Sequence, residues 1–207
     1  MTRQEVDKMI QEVQNKSAEK EKIVAAVNQF EKYIDSDPVE FDGDIIITDP
    51  CYIIRDEHHG TKPMTEDDWN ACDYGSHMEP LGIRKYMSRD TLYGDWSCTT
   101  YNSDTGESMG QFCADAGMVS VLDLAEVLKY NPDFDYHIKK GWTTTWIKDF
   151  KGTVQFVVKR EEHVYEEDTK WWNAGDVYEE YYVEVVGRGV NKRTGEPLNF
   201  IGKQTDL

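Results

Sequence analysis

Basic residues are scarce: 23 Lys and Arg stand against 40 Asp and Glu in 207 residues, a formal net charge of −17 at pH 7. A chain so acidic lacks the broad basic face that tracks phosphates, which argues against direct nucleic-acid binding, and anionic membrane surfaces repel it. Long apolar runs are missing too. No window approaches the roughly 18 apolar residues of a membrane span, and the opening MTRQEVDKMIQEVQNK has no apolar signal-peptide core. The expectation is a soluble cytoplasmic protein with no membrane partner. Cysteine is limited to Cys51, Cys72, Cys98 and Cys113, with no CxxC pair among them. Structural zinc is therefore not expected, and in a reducing compartment the thiols stay reduced. A Walker loop, GxGxxG and GxSxG are all absent, so nucleotide hydrolysis by the P-loop route is excluded and no cofactor or metal is expected.

What is present suffices for a core: 39% of residues are hydrophobic and 12% aromatic, too many for a disordered chain. Glycine and proline do not occur in the first 37 residues, whereas all 15 glycines and six prolines follow. That shift divides the chain into a segment 1–37 and a β-rich domain 38–207. Thr2 and Glu5 fit a capping box, and Val6, Met9, Val13, Ile23, Val27, Phe30 and Ile34 form a stripe with spacing of three and four. The pattern predicts an amphipathic helix over residues 3–35. Two readings stay open: its second half docks on its own domain, or the helix forms a short coiled coil that makes a homo-oligomer. Lys16 and Lys20 weaken the seam in its middle.

Beyond Pro38, short apolar or alternating runs are separated by Gly, Asp and Asn, which predicts an α+β protein whose main domain is antiparallel β, sandwich or barrel-like. Strands are expected at 44–48, 95–101, within 111–122, and at 143–150, 153–160, 178–186 and 198–203, with Asp149 to Gly152 as a turn. One short helix is expected at 124–130, started by Asp123 and stopped by Asn131-Pro132. Residues 57–89 have little periodicity and read as an irregular insertion.

Two constellations bear on function. In the first, the apolar strand Ile45-Ile46-Ile47 runs into Thr48-Asp49-Pro50-Cys51-Tyr52, while Asp95 and Cys98 lie together, as do Cys113 and Asp115. Strand ends hold side chains rigidly within reach of solvent. Asp49, Cys51, Tyr52, Asp95, Cys98 and Asp115 are thus candidates for a ligand pocket, with Asp49, Asp95 and Asp115 as oxygen ligands or an acid and base pair. The alternative is that each aspartate only shapes its own turn. The five histidines, 58, 59, 77, 137 and 163, belong to no Cys/His signature.

In the second, residues 161–184 hold nine acids and one lysine, a local net of −8. Tyr165, Trp171, Trp172, Tyr178, Tyr181 and Tyr182 are interleaved with them. Glu161, Glu162, Glu166, Glu167, Asp168, Glu179 and Glu180, with Trp171, Trp172 and Tyr178, are candidates for contact with a basic protein surface. Carboxylates steer such an encounter and aromatic side chains supply contact energy. The alternative is a solvated hairpin with its aromatics packed inward.

Three pieces, Ile47-Thr48-Asp49-Pro50-Cys51-Tyr52, Asp115-Ala116-Gly117 and Phe200-Ile201-Gly202-Lys203-Gln204-Thr205, resemble a loose group of phage and bacterial proteins. Those share an Asp-Pro-Cys/Ser-Tyr box, an Asp-Ala/Ser-Gly box and a Gln-Thr-Gly ending. This chain departs at Asp206 and in its N-terminal segment. The resemblance implies a mobile-element origin rather than a reaction, and with it a non-enzymatic module that binds and disables a host defence component. The competing expectations are a small-molecule binder or hydrolase of a nucleotide signal, and a structural oligomer.

Overall fold

The structure is a computed structural model that describes residues 32–54, 78–92, 94–168 and 172–205, with isolated positions at 3, 4, 7, 8, 11 and 66. Among the described residues eight strands form one antiparallel sheet: β1 (Val39–Thr48), β2 (Tyr86–Asp90), β3 (Trp96–Asn102), β4 (Ser108–Ala114), β5 (Met118–Asp123), β6 (Thr144–Val164), β7 (Val177–Asn191) and β8 (Phe200–Gln204). Their order across the sheet is β2-β5-β1-β6-β7-β8-β3-β4. Two short helices, α1 (Leu124–Tyr130) and α2 (Asp135–Lys140), follow β5.

The sheet curls over itself. Thr100 on β3 donates to Thr145 on β6, 3.1 Å away, although these strands stand three places apart in the order. A β-carbon on Gly110 would lie 3.3 Å from the Thr145 side chain, so glycine lets β4 come this close. The concave face encloses Phe41, Ile45, Ile47, Phe112, Val121, Ile147, Phe150, Phe156 and Phe200. On the convex side, Ile46 and Leu122 pack under Val127 of α1, with Ile53, Met78, Ile83 and Phe134. That explains the unbroken Ile45-Ile46-Ile47 run: both faces of β1 are covered, so alternation is lost.

The α1 helix begins and ends where the sequence predicts. Asp123 accepts the N–H groups of Ala125 and Glu126, and Asn131 follows the last helical residue and hands its amide to the Ile53 carbonyl. Other expectations need correction. There are two short helices among the described residues, not one: α2 buries only His137 and shows too little apolar face to be read. The expected turn at Asp149 to Gly152 is a bulge within one continuous strand of 21 residues. Asp149 takes a φ of 52°, gives its N–H to Asp44, receives the Lys192 N–H on its carbonyl and pairs its carboxylate with Arg193. β2 also begins inside the stretch expected to be irregular, 57–89, and runs one residue past it; residues 55–65 and 67–77 lie outside the described residues.

The stripe positions from Val6 to Phe30 lie outside the described residues, so the helix expected over 3–35 is described only at its edges. Its far end is not helical. Ile34 is buried in a bend, and the next two residues run along β6: Asp35 accepts the Val158 N–H, and Ser36 exchanges bonds with Phe156. Among the described residues no helix is long and apolar enough to cross a membrane.

Candidate functional site

The end of β1 is the first candidate. Asp49 is fully buried, and its two carboxylate oxygens accept the N–H of Cys51 at 2.8 Å and of Ala116 at 2.7 Å. The first bond caps the 3-10 turn Pro50–Tyr52; the second ties that turn to the bend between β4 and β5. Burial pushes the Asp49 carboxyl above its usual range, and the backbone donors oppose this. Tyr52 brings its hydroxyl to Asp115, and burial followed by that carboxylate raises the phenol. The Tyr52 ring also lies 5.1 Å from the buried His137. Asp49, Cys51, Tyr52 and Asp115 are thus brought together in one corner. Asp95 is exposed just before β3, next to the Trp96↔Ala114 pair that leads into Asp115, and among the described residues no three His, Cys, Asp or Glu side chains gather as a metal-binding group. Cys98 is buried with its thiol pushed up to about 12 by burial, opposite to what a nucleophile needs. The thiols of Cys51, Cys98 and Cys113 form no disulfide.

The second candidate is the distal half of the β6 and β7 hairpin. β1 pairs with β6 only as far as Val154, and β8 pairs with β7 only over Val185–Gly187. From there β6 and β7 continue as a two-stranded ribbon to the Val164↔Val177 pair. The alternation of strand side chains sorts the acids and aromatics onto two faces. One face carries Arg160, Glu162 and Val164 opposite Tyr181, Glu179 and Val177. Here Arg160 bridges Glu162 and Glu179, and Tyr181 donates to Glu179. The other face carries Lys159, Glu161 and His163 opposite Tyr182, Glu180 and Tyr178. On it Tyr182 bonds Glu161, and His163 Nε2 lies 2.8 Å from Glu180. The aromatic rings continue as a row: His163 stacks on Tyr178 at 5.3 Å, Tyr178 meets Tyr165 at 4.6 Å, and Tyr165 stacks on Trp172 at 5.6 Å.

At the tip Glu166, Glu167 and Asp168 are exposed, and Asp168 accepts the Ala174 N–H. Trp172 is 53% exposed and Tyr178 37%, so the aromatics do not turn wholly inward. An open groove of about 600 Å³ lies along Glu162, His163, Val164, Tyr165, Glu166 and Tyr178. Trp171 lies outside the described residues.

The sequence-based site lacked three contributors. Lys159 pairs with Glu184 at 3.4 Å and Arg160 with two acids, so three bases stand against the nine acids of residues 159–184. Trp96, from β3, reaches the ribbon base at 6.4 Å from Tyr182. The adjacency of Lys159-Arg160 to Glu161-Glu162 is the sequence signal for the two bases; nothing local points to Trp96. Comparison with protein-family models, with curated proteins and with solved structures finds no match to this chain.

Proposed function

We propose that this chain is a non-enzymatic binding protein whose β6 and β7 ribbon engages a basic surface on a partner protein. The observation that carries the reading is the projection of an acidic, aromatic ribbon past the last strands that flank it. Beyond Val158, where the Asp35 and Ser36 segment clips the β6 edge and Tyr33 and Trp96 meet Tyr181 and Tyr182, the ribbon presents its distal part to a partner. Its carboxylates raise the rate of encounter with a positive surface, and Tyr178, Tyr165 and Trp172 contribute rigid contact area at low entropic cost. Arg160 and Lys159 hold the ribbon acids near its base, whereas Glu166 and Glu167 make no ion pair among the described residues. If the partner uses its basic face to grip nucleic acid, occupation by this chain blocks that grip, the inhibitory outcome that the resemblance to phage proteins implies.

The test is binding of an octalysine peptide, measured by calorimetry across ionic strength, to the native chain and to Glu166→Lys, Glu167→Lys, Asp168→Lys combined. The triple reversal weakens binding and flattens its salt dependence. Equal affinity of the two proteins would reduce the ribbon to a solvated surface.

A second reading is a small-molecule site at the Tyr52 and Asp115 corner, supported by their hydrogen bond beside His137. Asp115→Asn separates it from the first, since it leaves the ribbon untouched.

A further inference from the structure

The two edges of the ribbon differ in how their backbone groups are satisfied. Tyr165 gives its N–H to the Asp176 carbonyl, which sets the phase of the ladder. In an antiparallel pair, hydrogen-bonded and non-hydrogen-bonded positions alternate. Pairs 163↔178, 161↔180 and 159↔182 therefore exchange bonds within the ribbon, and their N–H and C=O groups are used there. Pairs 164↔177, 162↔179, 160↔181 and 158↔183 point theirs outward.

The phase agrees with what is seen on the β6 side. There Phe156 and Val158 turn outward, and the extended segment at Asp35 and Ser36 takes them up: Ser36 N to Phe156 O at 2.9 Å, Phe156 N to Ser36 Oγ at 2.9 Å, and Val158 N to Asp35 Oδ1 at 3.0 Å. One edge of this hairpin already accepts a piece of extended chain. On the β7 side, Val185–Gly187 meet β8, which then departs along β3 to Thr205, bonded to Ser97. The outward groups of Val177, Glu179, Tyr181 and Val183 have no partner strand among the described residues.

An edge of this length is a template for strand addition. Its side chains select the occupant. Glu180 stands between Tyr178 and Tyr182 on one face, and Glu179 between Val177 and Tyr181 on the other. A second copy of this chain laid antiparallel along the edge about Glu180 would set that carboxylate against its own like charge, with Glu179 on the diagonal, which is unfavourable. A basic residue opposite Glu180 would instead meet a carboxylate with a tyrosine on either side, where ionic and cation-π attraction act together.

We propose that the edge of β7 from Val177 to Val183 takes up an extended basic segment of the partner protein as an added strand. The proposal rests on the acidic-ribbon reading and specifies how the partner is held: main-chain bonds along the edge supply affinity, and Glu179 and Glu180 select lysine or arginine at alternating depth on both faces.

The test uses the full chain and two probes of equal charge, the peptide (Lys-Thr)4 and the same peptide N-methylated at every residue. Strand addition predicts that N-methylation lowers affinity at least tenfold at fixed salt. It also predicts that the amide protons of Glu179, Tyr181 and Val183 gain exchange protection with (Lys-Thr)4, while those of Glu180 and Tyr182 do not change. Tyr181→Pro, which removes an outward N–H without removing a backbone bond of the ribbon or a charge, should reproduce the loss, and Tyr181→Phe, which removes only the hydroxyl bond to Glu179, should not. Equal, salt-dependent affinity for both peptides would overturn strand addition and leave the acidic surface standing. Failure of both peptides to bind in a salt-dependent way would overturn the acidic-surface reading and this one with it.

Discussion

Replacing Asp49 by alanine tests whether the corner at the end of β1 is held by that carboxylate. The site is fully buried, so water cannot take over its bonds. Two backbone donors, Cys51 N–H and Ala116 N–H, lose their acceptor. Each buried donor left without a partner costs about 1–3 kcal/mol, for a gross loss of about 2–6 kcal/mol. Burial disfavours the ionised carboxylate, which is why its pKa is raised, and removing that charge returns part of the cost. A net loss of about 3 kcal/mol corresponds to a fall in Tm of about 6–12 °C for a chain of this size. Calorimetry on the native protein and on Asp49→Ala measures it. The pH dependence has a definite sign. Because the folded pKa lies above the ordinary value of 3.8, the native state binds more protons than the unfolded state between the two values. The stabilisation from this group is complete below 3.8 and is lost as pH rises through the folded pKa. Asparagine cannot titrate, so the deficit of Asp49→Asn relative to the native protein should be larger at pH 4 than at pH 7. A Tm for Asp49→Ala within about 2 °C of the native value would refute the clamp, since even one orphaned donor costs about 1 kcal/mol.

A β-carbon on Gly187 would fall 2.1 Å from the ring of Phe200, which is fully buried and packs edge-on to Phe150 at 5.4 Å. Gly187→Ala is expected to cost about 1–3 kcal/mol by urea unfolding, and Phe200→Leu in the same chain should recover part of it; strict additivity of the two would show that they do not collide. The Cys98 thiol, buried and pushed up to about 12, should resist alkylation at pH 8 until the protein unfolds, as read by peptide mass mapping; rapid native-state labelling would contradict its placement. Self-association through residues 3–35 is checked by light scattering on the full chain and on one beginning at Lys32, which retains the Asp35 and Ser36 bonds to β6. Assembly of the full chain alone supports a helical seam, and equal masses remove it.

Local chemistry made several elements readable from the residues alone. Asp123 and Asn131-Pro132 bracket α1 because a carboxylate that caps two N–H groups and a proline that cannot continue a helix act within one turn of chain. The strand cores at 44–48, 96–101 and 178–186 were visible because apolar and β-branched residues recur there between turn formers. Net charge and the concentration of acids with aromatics in 161–184 are likewise sums over the sequence that no fold can alter.

Only the tertiary structure decided how those pieces are used. Asp149 and Gly152 have the composition of a turn, yet become a bulge because Asp44, Lys192 and Arg193, distant in sequence, satisfy Asp149 in place. Asp49 and Asp115 meet at one corner, and the Trp96↔Ala114 pair brings exposed Asp95 to the same end of the β3 and β4 ladder, since convergence depends on which strands are neighbours rather than on spacing along the chain. The acidic stretch is a projecting ribbon with one edge clipped by Asp35 and Ser36 and the other, at Val177 to Val183, without a partner strand among the described residues, because β1 and β8 part from it at Val154 and Val185. Composition and periodicity report the preferences of single residues and of neighbours within a turn. Which edge is covered is set by long-range pairing, and no local preference encodes that.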